Sequence, residues 1–132
     1  MILSGYMYKR GNNTLKDWPK RWCVLDKYNF TYFRKKEDDI PAGTIKLVSL
    51  HINTAEDIRP NCLELVTPTR CYYFCGEDST SVIRWAVTLD RASLSVRQSL
   101  GENFLSAMES EDLHAKCVVV RAQKSGYVSK SG

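Results

Sequence analysis

Gly5-Tyr6-Met7-Tyr8-Lys9-Arg10-Gly11 and, after a polar loop over 12–17, Trp18-Pro19-Lys20-Arg21-Trp22-Cys23-Val24-Leu25 decide how this chain reads. In the first run Tyr6, Tyr8 and Arg10 alternate with Met7 and Lys9 between two glycines, the period of a half-buried strand. Arg21 to Leu25 is a dense aromatic and β-branched second strand, Asp26-Lys27-Tyr28-Asn29 a turn, and Asn29 to Arg34, with Phe30-Thr31-Tyr32-Phe33 at its centre, a third strand. The first two runs carry their positive charge at ends that face each other across one loop. Cations gathered around exposed backbone form a place to hold an anion.

The charge distribution sharpens this reading. The chain has a net charge of +4, yet residues 9–36 contain nine Lys/Arg against only Asp17 and Asp26, and the remainder is net acidic. One basic patch on a mildly basic protein implies a localised anionic partner. At 132 residues the chain has length for one complete core. It contains no run of 18 apolar residues, and Met1-Ile2-Leu3-Ser4 is too short for a secretory leader, so a cytoplasmic protein without a membrane span is expected. The cysteines (Cys23, Cys62, Cys71, Cys75 and Cys117) are odd in number, lack a C-x-x-C pair and mostly sit in apolar runs, which reads as reduced, buried thiols. His51 and His114 have no partners at ligand spacing, so no metal site or cofactor is expected.

Short strands continue to residue 76. Residues 34–39 and Pro41-Ala42-Gly43 connect to a fourth strand, Thr44 to Val48. His51 to Thr54, Cys62 to Val66 and Cys71 to Cys75 follow, the last two joined by the turn Thr67-Pro68-Thr69. The period then changes. Asp78, Ser79 and Thr80 are helix-capping residues, and Val82, Trp85, Ala86 and Leu89 fall at i, i+3, i+4, i+7 on one apolar face. With no Gly or Pro before Gly101, the helix is expected to reach about Ser99. An amphipathic helix bearing a large tryptophan suits the open end of a barrel of short antiparallel strands.

The opening Gly-Tyr-Met-Tyr-Lys-Arg-Gly, the second strand Trp-Pro-Lys-Arg-Trp-Cys-Val-Leu, the third strand Phe-Thr-Tyr-Phe and the tryptophan of the closing helix together resemble a pleckstrin homology (PH) domain over residues 4–97. The resemblance implies a mainly β fold, a seven-stranded bent antiparallel barrel or sandwich capped by a C-terminal helix. It implies a PH domain over 1–99 and an extension over 100–132. It also implies a way of binding: in phosphoinositide-binding members the loop between the first two strands cradles an inositol phosphate. Lys9 matches the first-strand lysine and Gly11 the small residue after it. Arg21 matches the second-strand arginine and Tyr32 the third-strand tyrosine. Arg10, Lys16 and Lys20 are further candidates around the same loop. These residue types suit the task, with Arg as a planar fork, Lys as a mobile point charge and Tyr as a hydroxyl donor.

One position departs from the pattern. Where tight binders of 3-phosphoinositides have a basic residue two positions before the arginine, this chain has Pro19, with neither charge nor N–H. A missing charge-assisted contact is worth about 1.5–3 kcal/mol, which predicts weak or broadly selective binding. Arg59, before the sixth strand, is a candidate for the outer face of the loop. The resulting expectation is an adaptor module recruited peripherally to membranes through anionic phosphoinositides. The alternative is a protein-interaction or autoregulatory domain with little lipid affinity, favoured by Pro19 and the acidic run Glu37-Asp38-Asp39. No nucleophile–base pair or Gly-rich phosphate loop marks an enzyme, and the basic patch is too short for nucleic acid.

Beyond residue 98, Glu102 to His114 has a weak helical face (Phe104, Leu105, Met108) and Lys116 to Ala122 reads as a strand. Ser125 to Gly132 matches Ser4 to Gly11 at five of eight positions, either the opening strand of a second such domain in tandem or a chance similarity.

Overall fold

A computed structural model describes residues 1–11 and 17–111, with side chains through residue 103. Contacts divide the chain into two compact units, Met1–Arg97 and Gln98–Gly132. The first unit holds seven strands, β1 (Leu3–Lys9), β2 (Lys20–Leu25), β3 (Asn29–Phe33), β4 (Gly43–Lys46), β5 (His51–Thr54), β6 (Cys62–Val66) and β7 (Cys71–Cys75). They form one antiparallel sheet in the order β4-β3-β2-β1-β7-β6-β5. β1 pairs with β2 along its length, from Leu3↔Leu25 to Tyr8↔Lys20, but with β7 only at Tyr8↔Cys75 and Lys9↔Phe74.

Alternation sorts the side chains. Met7, Cys23, Leu25, Phe30, Ile45, Leu63, Leu65 and Phe74 point inward and are buried. Helix α1 (Ser79–Glu111) closes this core with Val82, Trp85, Leu89, Ala92 and Val96. Asp78 caps it, its Oδ1 accepting the Ser81 N–H at 2.8 Å. Trp85 is 3 % exposed and meets Phe30 edge-to-face at 5.7 Å. Its indole lies beside Gly5, where an added Cβ would come within 3.8 Å of it. Further edge-to-face contacts, Phe30–Phe74 at 5.2 Å, Phe74–Tyr32 at 5.5 Å and Tyr32–Tyr72 at 6.4 Å, run from the helix to the opposite end of the barrel.

Three local expectations are corrected. The fourth strand ends at Lys46, and Leu47–Ser49 form a 3₁₀ turn, because Leu47 and Leu50, three residues apart, both turn into the core. The closing helix runs to Glu111, past Ser99. Gly101 lies within it, where an added Cβ meets nothing within 4 Å among the described residues, and one glycine costs a helix only about 1 kcal/mol. Cys71 is exposed, unlike Cys23, Cys62 and Cys75. The expected strand Lys116 to Ala122, the possible repeat at Ser125 to Gly132 and Cys117 lie outside the described residues.

Candidate functional site

The inward-facing rows that build the core change character at one end of the barrel. Beyond Met7 on β1 comes Lys9; before Cys23 on β2 comes Arg21; beyond Phe30 on β3 comes Tyr32. Before Phe74 on β7 comes Tyr72, and two residues earlier Arg70, at the end of the β6–β7 hairpin. Each strand therefore delivers a polar or cationic side chain to the same mouth with the parity that delivers its apolar neighbour to the core.

Lys9 is the centre of this cluster. It is only 8 % exposed, an unusual burial for lysine. Its Nζ lies 5.4 Å from the Tyr32 ring centroid and 5.9 Å from that of Tyr72, and donates to the Arg10 carbonyl at 3.3 Å. Burial, then the charges of Arg70 and Arg21, hold its ammonium below the usual lysine range. Among the described residues, the charged side chains that act on Lys9 are Arg70 and Arg21, both cations. Arg70 stacks on Tyr72 with its guanidinium carbon 4.2 Å from the ring centroid. Arg21 donates from Nη1 to the Lys20 carbonyl at 3.1 Å, which sets the direction of its fork. Burial and then the neighbouring Tyr72 push the Tyr32 phenol up, so its hydroxyl stays protonated as a donor.

Tyr32 is placed by a glycine. It pairs across the ladder with Gly43, and the outer end of its ring, hydroxyl included, lies over the Gly43 α-carbon where a Cβ would collide with it. The aromatic contacts with Phe74 and Tyr72 fix the ring from the other side.

Of the residues the sequence singles out, Lys9, Arg21 and Tyr32 meet at this mouth. Gly11 closes the base of the loop, its N–H donating to the Asp17 carbonyl at 2.6 Å. Arg10 and Lys20 have the opposite parity. Arg10 stacks on Tyr73 at 5.1 Å, and Lys20 lies 5.0 Å from the Tyr6 ring and 3.9 Å from a Glu77 carboxylate oxygen. Lys16 lies outside the described residues. Pro19 begins the β1–β2 ladder by accepting the Lys9 N–H at 2.9 Å, and supplies no cation there. Arg70 and Tyr72 escaped the sequence reading. The available signal was a basic residue directly after Thr67-Pro68-Thr69, at the mouth of a hairpin, with an aromatic two positions on.

The other face of β1 carries a separate cluster. Tyr8, Trp18 and Tyr73 pack on Ala55, Cys62 and Cys75, and Arg59 lies over Trp18 at 4.9 Å and Tyr8 at 5.6 Å. Trp18 is thus a packing residue. Trp22 sits outside the core, edge-to-face with Tyr6 at 4.9 Å and under the Lys36 ammonium at 4.9 Å.

Residues 1–94 match the family model of the PH domain. The chain belongs to the PH domain family. The PH domain is 35 % identical over 83 residues to a RAC family serine/threonine-protein kinase homolog of Dictyostelium discoideum, covering 61 % of this chain and 18 % of that protein. It spans less than a fifth of the length of the curated relatives it matches. Among solved structures it is similar to the PH domain of human TBC1 domain family member 2, with a TM-score of 0.65 at 24 % identity over 73 % of this chain and 83 % of that one. It is also similar to the C-terminal PH domain of pleckstrin in complex with D-myo-Ins(1,2,3,4,5)P5, with a TM-score of 0.60 at 22 % identity over 69 % of this chain and 96 % of that one. These likenesses show the fold, a seven-stranded antiparallel sheet closed by a C-terminal helix. No helix among the described residues is long and apolar enough to cross a membrane.

Proposed function

We propose that this PH domain recruits its parent protein from the cytoplasm to membranes by binding anionic phosphoinositide headgroups, weakly or with broad selectivity. The reading rests above all on Lys9, a buried lysine on which two arginines act among the described residues. Like charges held together at a solvent-facing mouth repel one another, and a multiply charged phosphate relieves that repulsion. In this reading Arg21 and Arg70 present forks to phosphates, Lys9 neutralises charge from beneath, and the Tyr32 hydroxyl donates a hydrogen bond. Gly11, Arg10, Lys16 and Lys20 are the further proposed contacts around the loop between β1 and β2. Pro19 leaves one phosphate without a cationic contact, which sets the affinity and selectivity low. A pleckstrin PH domain solved with an inositol pentakisphosphate supports this class of ligand. In this reading the binding module spans residues 1–99 and 100–132 is an extension or linker, its match to Ser4–Gly11 being either the opening of a second such domain or a chance similarity.

Sedimentation with phosphoinositide-containing vesicles tests the site. The Lys9→Ala/Arg21→Ala double variant is expected to stay in the supernatant where the parent chain pellets. Equal pelleting of both would remove these residues from the site.

A second reading, docking of a protein partner, is favoured by Ile83, Val87 and Leu94, which stand 60 %, 43 % and 47 % exposed on α1. It predicts that Val87→Asp lowers partner capture from cytosol while leaving vesicle binding intact. Loss of neither activity would dismiss it.

A further inference from the structure

The cluster on the outer face of the sheet contains a chemistry that headgroup binding does not use. Cys62 on β6 and Cys75 on β7 are directly opposite in the ladder, and both are about 1 % exposed. The backbone shows which kind of cross-strand pair they form. The Cys62 carbonyl accepts the Ala55 N–H at 2.9 Å and so points toward β5, away from β7. One position further along, Gly76 N–H donates to the Asn61 carbonyl at 2.9 Å, the place where the β6–β7 bonding falls. Alternation makes Cys62↔Cys75 a non-hydrogen-bonded pair, the kind whose α-carbons approach to about 4.5 Å. Disulfides span α-carbons about 4.4–6.8 Å apart, so a bridge fits here without strand movement.

The surroundings favour reaction between the two sulfurs. The Cys62 S–H donates to the Leu63 carbonyl at 3.8 Å, and the interaction between the two facing thiols lowers Cys75 and raises Cys62. Burial raises both thiols; Arg59 acts against it at each, favouring the thiolate, with a smaller opposing effect of Glu56. The Arg59 Nη1 is buried with no hydrogen-bond partner among the described residues, while the guanidinium is held over Trp18 and Tyr8. Cys23 lacks this setting. It lies opposite Gly5 and Tyr32 in its two ladders rather than opposite a second cysteine, and burial pushes its thiol up.

We propose that Cys62 and Cys75 are a redox-active dithiol that closes to a cross-strand disulfide when the protein meets a peroxide. The Cys75 thiolate attacks one peroxide oxygen. The O–O bond breaks, an S–O bond forms, and the displaced hydroxide takes a proton and leaves as water. The Cys62 sulfur then attacks the Cys75 sulfur, the S–O bond breaks, and the hydroxide leaves as a second water with the Cys62 proton. Two thiols are oxidised by two electrons in total and one peroxide is reduced to two waters. The bridge ties β6 to β7 beneath Trp18 and is reopened by a dithiol reductant.

The test treats the full chain, as wild type and as Cys71→Ser/Cys117→Ser, with hydrogen peroxide. It is then unfolded, alkylated with iodoacetamide and mapped by mass. The expected result is a peptide joining Cys62 to Cys75, two hydrogens lighter than its separate parts, lost on treatment with dithiothreitol, with Cys23 still alkylated. In Cys62→Ala the cross-link disappears and dimedone captures a sulfenic acid at Cys75. Full alkylation of Cys62 and Cys75 after Cys71 of the wild type has been oxidised would overturn the proposal. So would separate oxidation of the two to sulfinic acids without a cross-link. The wild-type mapping needs no substituted residue to fold, so it decides the matter even where a variant does not.

Discussion

Replacing Gly43 by alanine isolates the placement of Tyr32 from its chemistry. The added Cβ collides with the Tyr32 hydroxyl and the ring carbon that bears it, so the ring must tilt off β4. Tyr32 is hemmed in by Phe74 at 5.5 Å and Tyr72 at 6.4 Å, which leaves it to move outward from the mouth. Overpacking of this kind costs about 1–3 kcal/mol of stability. Displacing the hydroxyl removes one hydrogen bond to a charged phosphate, about 1.5–3 kcal/mol, or roughly 10- to 150-fold in affinity. Tyr32→Phe is the control, since it deletes the hydroxyl and leaves the ring where it is. Urea unfolding and calorimetric titration with a soluble inositol phosphate measure the two effects. Gly43→Ala is expected to lose both stability and affinity, and Tyr32→Phe affinity with little stability. Wild-type affinity in both would refute the assignment of the Tyr32 hydroxyl to the ligand. Wild-type stability in Gly43→Ala would refute the packing argument.

Arg70→Ala removes a stacked guanidinium at the mouth and is expected to weaken headgroup binding about 10-fold or more, read by isothermal titration with a soluble inositol phosphate. Trp85→Ala opens the core beneath the helix and is expected to cost about 3–5 kcal/mol in urea unfolding. Because the Lys9 ammonium is held below its ordinary range, the folded protein loses that proton at lower pH than the unfolded chain does. Across that window the unfolded state binds more protons, so the Lys9 contribution to stability rises with pH through the lowered folded value up to about 10.4. Unfolding free energies of wild type and Lys9→Met against pH should show this as a converging difference. Headgroup affinity should run the other way, full below the lowered value and falling as pH rises through it.

Much of this was written plainly in the residues. Val82, Trp85, Ala86 and Leu89 announce a helix because nothing else explains their spacing, and Thr67-Pro68-Thr69 punctuates two strands that keep their bounds in the structure. Lys9, Arg21 and Tyr32 share inward parity with Met7, Cys23 and Phe30, so their convergence follows from alternation once the strands are in register. Arg10 and Lys20 diverge from them for the same reason. Other features depend on pairing that no single segment encodes. Arg70 joins the site only because β7 lies beside the end of β1. Gly43 matters only because Tyr32 lies opposite it. The inward turn at Leu47 imitates a continuing strand, since Ile45 and Leu47 alternate correctly until the chain coils at Val48. Gly101 reads as a stop, yet the helix continues through it.

The central claim is a stereospecific anion site at the mouth formed by Lys9, Arg21, Tyr32 and Arg70. The most direct measurement is sedimentation of this chain with vesicles carrying each phosphoinositide in turn, at matched total charge and physiological salt, with Arg21→Ala alongside. The account predicts pelleting that depends on headgroup at equal charge and is lost in Arg21→Ala. Pelleting that follows lipid charge alone and survives in Arg21→Ala, or no pelleting at all, would contradict it.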